Sequence, residues 1–274
     1  MNKSGKGMDF ELKQTINNIQ DFLTHLSIPK SCELNKPVFK KMFLDSGALN
    51  TTDKACLKED VDKIRWLYTL KPSTINIAAY ADDQRDYSEI AVLLVELASP
   101  KRIMRIAQFM QRSIPYPLVL IFTCNIEGQE NLTVSLADKR INQADKEKWV
   151  AEDSIQTGWI SLEEESELDC KFLNSLTISN FSYSNFLNFY KCFTERVIAI
   201  NCAEHSGQFT LEDGNEVRSG DERLVFLREI EKLHIEKSEI SNRLKKIKQM
   251  GRQVELNTQI KQINDKVELL KSRI

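Results

Sequence analysis

The sequence predicts an α/β fold: a mixed sheet with a β-α-β crossover, an N-terminal helix and a long C-terminal coiled-coil helix. Three observations lead there. Residues 89–98 (EIAVLLVELA) and 118–124 (LVLIFTC) are apolar on both faces, as strands inside a covered sheet are. Between them, PKRIMRIAQFMQRS places Ile103, Ile106, Phe109 and Met110 on one helical face. A strand, helix and strand of this length form a crossover joining parallel neighbours. The last fifty residues repeat apolar side chains at alternating spacings of three and four. The implied organisation is an N-terminal helix and linker (1–34), an α/β domain (35–205), a flexible linker (206–221) and a coiled coil (222–274).

Each element follows from local pattern. Phe10, Ile16, Ile19, Phe22, Leu23 and Leu26 share a helical face, so 9–26 is expected to be an amphipathic helix ended by Pro29. Pro37 is expected in the first turn of a second helix, VFKKMFLDSG, closed by Gly47. Residues 50–60 read as a linker. Ile64, Trp66, Tyr68 and Leu70 alternate as a half-buried strand does, and Pro72 stops it. YADDQRDYS reads as a polar loop. Pro115 lacks a backbone donor and Pro117 bars Tyr116 from helical angles, so the crossover helix ends near Ser113. A strand over 132–136 follows the turn at Glu127-Gly128. Trp159 and Ile160 suggest a short edge strand, and helices are expected from Leu168 to Leu176 and over 185–200. Glycine and polar residues mark 206–221 as a linker.

Size and composition exclude several classes. The 274 residues, 41% hydrophobic and 28% charged, suit a soluble globular chain. The longest apolar run, Leu118–Phe122, is too short to cross a bilayer, and no apolar stretch follows the N-terminal lysines. A cytoplasmic protein with no membrane partner is expected. Six cysteines show no C-x-x-C spacing and read as reduced thiols, and three scattered histidines offer no ligand pattern. No phosphate-binding glycine loop and no nucleophile elbow occurs. Net charge is −2, but residues 222–274 carry 13 Lys/Arg against 8 Asp/Glu, leaving an acidic body and a basic tail.

In that tail, Ile230, Leu233, Ile240, Leu244, Ile247 and Val254 follow one heptad frame. Leu256, Ile260, Ile263, Val267, Leu270 and Ile274 follow another. One long helix with a stutter, or two helices folded back as an antiparallel hairpin, would account for the shift beside Gly251. The long helix is preferred, because Gly251 alone is a weak turn. Either seam calls for a helical partner.

Trp66-Leu-Tyr-Thr-Leu-Lys-Pro72, Glu89-Ile90, Ser113-Ile-Pro-Tyr-Pro117 and Arg252-Gln-Val-Glu-Leu-Asn257 together resemble an uncharacterised prokaryotic family, domain of unknown function 4391. The likeness spans roughly residues 35–270. It implies genes beside helicases and DNA methyltransferases of restriction-like or defence operons, and no assigned reaction.

Three groups of residues are candidates for chemistry. Glu89, Glu96 and Lys101 approximate the acids and lysine of an Mg²⁺-dependent nuclease, although the residue two after Glu96 is Ala98. Arg243, Lys245, Lys246, Lys248 and Arg252 fall within ten residues that contain no acid. On a continuous helix 245, 248 and 252 would share a face along which phosphates could lie. Ala137-Asp138-Lys139-Arg140 reads as a turn after a strand. The expected function is therefore an accessory or interaction subunit of a bacterial DNA-processing system of restriction or anti-phage-defence type. It would assemble through its coiled coil with itself or another subunit, with possible DNA contact and no cofactor. A divergent Mg²⁺-dependent nuclease, the one case needing Mg, is the alternative.

Overall fold

The structure, a computed structural model, describes residues 16–141, 149–211 and 220–274. The described residues begin with α1 (Ile19–His25), β1 (Glu33–Pro37), α2 (Lys40–Asp45), α3 (Thr51–Glu59) and β2 (Val61–Leu70). A single turn, α4 (Pro72–Ile75), leads to the short strands β3 (Tyr80–Ala81) and β4 (Asp86–Tyr87). The centre is β5 (Ile90–Leu97), α5 (Ile103–Ser113), β6 (Leu118–Ile126) and β7 (Gln129–Ile141). Then come β8 (Trp149–Gln156), β9 (Ile160–Ser161), α6 (Glu167–Ser175) and α7 (Phe186–Ser206). Two helices, α8 (Gly220–Leu244) and α9 (Met250–Lys271), end the chain.

The main sheet runs β1-β2-β5-β6-β7-β8, with β9 beside β7. Among the described residues only β5 and β6 pair in parallel, in register from Ala91↔Leu118 to Leu97↔Cys124, and α5 makes the crossover between them. The other pairings are antiparallel. Both central strands are buried on both faces because helices cover both sides. On one face α1, α6 and α7 bury Val92, Leu94, Val119 and Ile121. The rings of Phe181, Phe189 and Phe193 pack in tilted and edge-to-face pairs there, with centroids 4.7–5.9 Å apart. On the other face α2, α3 and α5 bury Leu93, Val95, Leu120 and Phe122. The result is three layers.

Two details hold the first layer. Asn18 caps α1, accepting from the Asp21 N–H at 3.0 Å. The helix end is tied to a segment far along the chain: Ile178 N–H donates to Leu26 O at 3.1 Å, and His25 Nε2 lies 2.8 Å from Thr177 Oγ1.

Several expectations are corrected. Pro37 ends an edge strand and does not start a helix. Residues 50–60 are not a linker: Asn50 and Asp53 form a capping box that starts α3. The polar loop 80–88 contains the β3–β4 ribbon. The N-terminal helix is observed from Ile19, while residues 1–15 lie outside the described ones, as does 212–219 of the expected linker. The tail is two helices of 25 and 22 residues, not one long coiled-coil helix.

Candidate functional site: the β7 terminus and the C-terminal hairpin

The segment expected to be a turn, Ala137–Arg140, lies in the last part of β7, and it carries a polar cluster. Strand β6 starts only at Leu118, so β7 runs past it, and other groups satisfy the extra backbone. The buried Tyr190 hydroxyl accepts from Ala137 N–H at 3.1 Å and donates to Leu118 O at 2.9 Å. Pro115 and Pro117 have no N–H, so 114–117 cannot continue the ladder. Lys139 fills the gap, its ammonium donating to the carbonyls of Ile114 and Tyr116. The side chain is 0% exposed, and burial pushes it down to about 7.

Asp138 points to the opposite side of the strand. Arg85 grips it in a bidentate pair at 3.1 and 2.8 Å, and Arg140 Nε and the Tyr87 hydroxyl add bonds at 3.2 and 3.1 Å. Burial would raise its carboxyl, but these donors, Arg85 foremost, hold it below the usual carboxylate range. Each oxygen is occupied, so the cluster fastens the β3–β4 ribbon to β7 and offers no free base. Continuing the alternation of LTVSL by four residues would have found it; the run of charges concealed it.

The three nuclease candidates do not converge. Glu89 precedes β5 and pairs with Lys71 at 3.1 Å; Glu96 stands near the far end of the same strand and pairs with Lys63 at 3.2 Å. Seven residues of strand separate the two carboxylates by roughly 23 Å. Lys101 lies beyond Leu97, exposed. Among the described residues no group of three or more His, Cys, Asp or Glu is placed to hold a metal ion.

The tail is built differently. Helices α8 and α9 fold back on each other across residues 245–249 and share a core of their own: Ile230, Leu233, Ile240, Leu256, Ile263 and Val267. Leu244, Ile247, Ile260 and Leu270 pack at its margin. The two heptad frames belong to two helices, and each is the other's partner. Val254 continues the first frame but sits on α9, which follows the second, so it faces solvent at 60% exposure. The hairpin base is anchored: Leu227 lies in the body core, and the buried Arg223 donates to Thr210 O at 2.9 Å. His205 of α7 is pushed down by burial and by Lys271 and His234, which places both helices beside α7. From Leu227 to Leu244 is about 25 Å of helix. The far end collects the five expected cations: Arg243 closes α8, Lys245, Lys246 and Lys248 form the turn, and Arg252 lies in the first turn of α9. All five are exposed. They cluster at a tip and do not line one helix face.

Fold and site define a mixed α/β domain bearing a helical hairpin. The family model Domain of unknown function (DUF4391) matches residues 26–267, and the chain belongs to that family. No curated protein and no solved structure matches it. No helix among the described residues is long and apolar enough to cross a membrane.

Proposed function

We propose that the protein is a non-catalytic accessory subunit of a bacterial DNA-processing system of restriction or anti-phage-defence type, assembling through its C-terminal hairpin. The setting comes from the gene neighbourhood that the family resemblance implies. The observation that carries the assembly is the outer surface of the hairpin. Its seam is closed internally, yet Val225, Ile235 and Leu269 remain more than half exposed. A two-helix hairpin with apolar residues outside as well as inside buries them against further helices, as in a four-helix bundle. A second copy or another subunit supplies those helices. Light scattering of the full chain at micromolar concentration tests this. The expected result is an assembly larger than a monomer, alone or with a partner recovered by pull-down, that Val225→Glu with Leu269→Glu disrupts. A strict monomer with no partner recovered sinks it. The nuclease reading has no comparable support, since its three residues stand at two ends of one strand.

A further inference from the structure

We propose that the tip of the hairpin binds the phosphate backbone of double-helical nucleic acid, without regard to sequence. The charges come first. Elsewhere on the hairpin acids are interspersed with the cations along the chain, and two pairs close, Lys232 with Glu229 at 4.0 Å and Lys271 with Glu268 at 3.0 Å. No ion pair holds Arg243, Lys245, Lys246, Lys248 or Arg252 among the described residues, and no Asp or Glu occurs between 243 and 252. Folding the tail back gathers charges that a straight helix would have spread along its axis. Two helix widths set the patch at roughly 20 Å across, the scale of several neighbouring phosphates.

The backbone adds a second, independent feature. Gln249 caps α9 without a side-chain hydrogen bond, and the first turn contains no acid. Its N–H groups therefore point outward unclaimed, with the positive end of the helix dipole behind them. Gly251 sits in that turn. A Cβ there would meet nothing within 4 Å and its φ is not positive, so neither packing nor backbone geometry requires glycine. Its absent side chain leaves the N–H groups open to an approaching phosphate oxygen.

The chemistry selects the ligand. The tip has no aromatic side chain on which an unpaired base would stack, which argues against single strands. Its exposed large apolar residues are Met250 and Val254, without the Trp, Phe or Leu face that seats a helix in a membrane surface. Point cations on long stems with open N–H groups suit a ladder of phosphates.

The test is fluorescence anisotropy of the full chain with a labelled DNA duplex of about 20 base pairs, over about 50–200 mM salt. Wild type is expected to bind two unrelated sequences alike. At about 0.9 per phosphate neutralised, five contacts give a log–log salt slope approaching about −4.5. Lys245→Glu, Lys246→Glu and Lys248→Glu together are expected to weaken binding by at least about tenfold and cut the slope to about −2. The shaft set Lys232→Glu, Lys261→Glu and Lys266→Glu changes net charge equally and is expected to stay within about threefold of wild type. The proposal is overturned by no wild-type binding at the lowest salt, by equal loss in the two sets, or by a strong sequence preference. Tip-dependent binding to phosphatidylserine vesicles without duplex binding also overturns it. The tip set leaves the outer apolar positions intact, so light scattering on it separates this inference from the assembly reading.

Discussion

The body and the hairpin use charge in opposite ways. In the body, three partly or fully buried carboxylates are clamped by arginine. Asp53 takes Arg105 at 2.8 Å and Arg112 at 3.6 Å, Asp60 takes Arg102, and Asp138 takes Arg85 at 2.8 Å. These pairs join α3 to α5 and the β3–β4 ribbon to β7, so they are fixed parts of the architecture. In the hairpin the apolar seam does the holding, and the five tip cations touch no acid. Charge that the fold consumes is unavailable to a ligand, whereas charge that it leaves idle at a projecting end is free for one.

The contrast breaks most visibly in the body core. Phe189 is 0% exposed at the centre of the aromatic cluster, so Phe189→Ala is expected to destabilise the chain by about 3–5 kcal/mol. Thermal denaturation should show it as a large fall in Tm, whereas the triple tip variant should melt within a degree or two of wild type.

A second test concerns Lys139. The folded chain releases its proton near 7 and the unfolded chain near 10.5. Between those values the unfolded state binds more protons, so this residue makes stability rise with pH from about 7 to 9. A neutral amine keeps two N–H groups, one for each carbonyl, so the 114–116 tie survives the loss of charge. Lys139→Met is expected to lower stability by about 1–3 kcal/mol through the two unsatisfied carbonyls, and to flatten the rise. Urea unfolding at pH 7 and pH 9 reads both; an unchanged pH slope in the variant would show that Lys139 titrates outside this window.

The smallest effect is at the tip. Gly251→Ala meets open space, so helix propensity should stabilise α9 by up to about 0.5–1 kcal/mol. A fall in Tm would mean that the turn is more tightly packed than Gly251 suggests.

How much of this was legible in the sequence depended on whether the deciding contacts were local. The crossover was, because Pro115 and Pro117 forbid helix by covalent geometry and the strands beside them are apolar throughout. The helix over 51–59 was overlooked because its signal is one capping pair, Asn50 and Asp53, ahead of a weakly amphipathic run. The hairpin was half legible: the frame shift was visible, but Lys245-Lys-Ile-Lys-Gln249 contains no Gly or Pro, so nothing local marks a turn. Packing of one seam on the other ends α8 there. The Lys139 site was not legible, since its partners are carbonyls 23 and 25 residues away. The run of tip cations is visible in the sequence, but their convergence exists only once the chain reverses.

The tie between α1 and residues 174–178 has a consequence for synthesis. His25 and Asn174 are 149 positions apart. At about 5–20 residues per second a ribosome needs roughly 7–30 s to make the segment that receives α1. Throughout that time Phe22, Leu23 and Leu26 can meet the sheet residues Val92, Val119 and Ile121 but lack the cover that α6 and α7 supply. Helix α1 is thus among the last elements to complete its packing, and a nascent chain stalled before α6 would leave Phe22 and Leu26 half covered and open to chaperones.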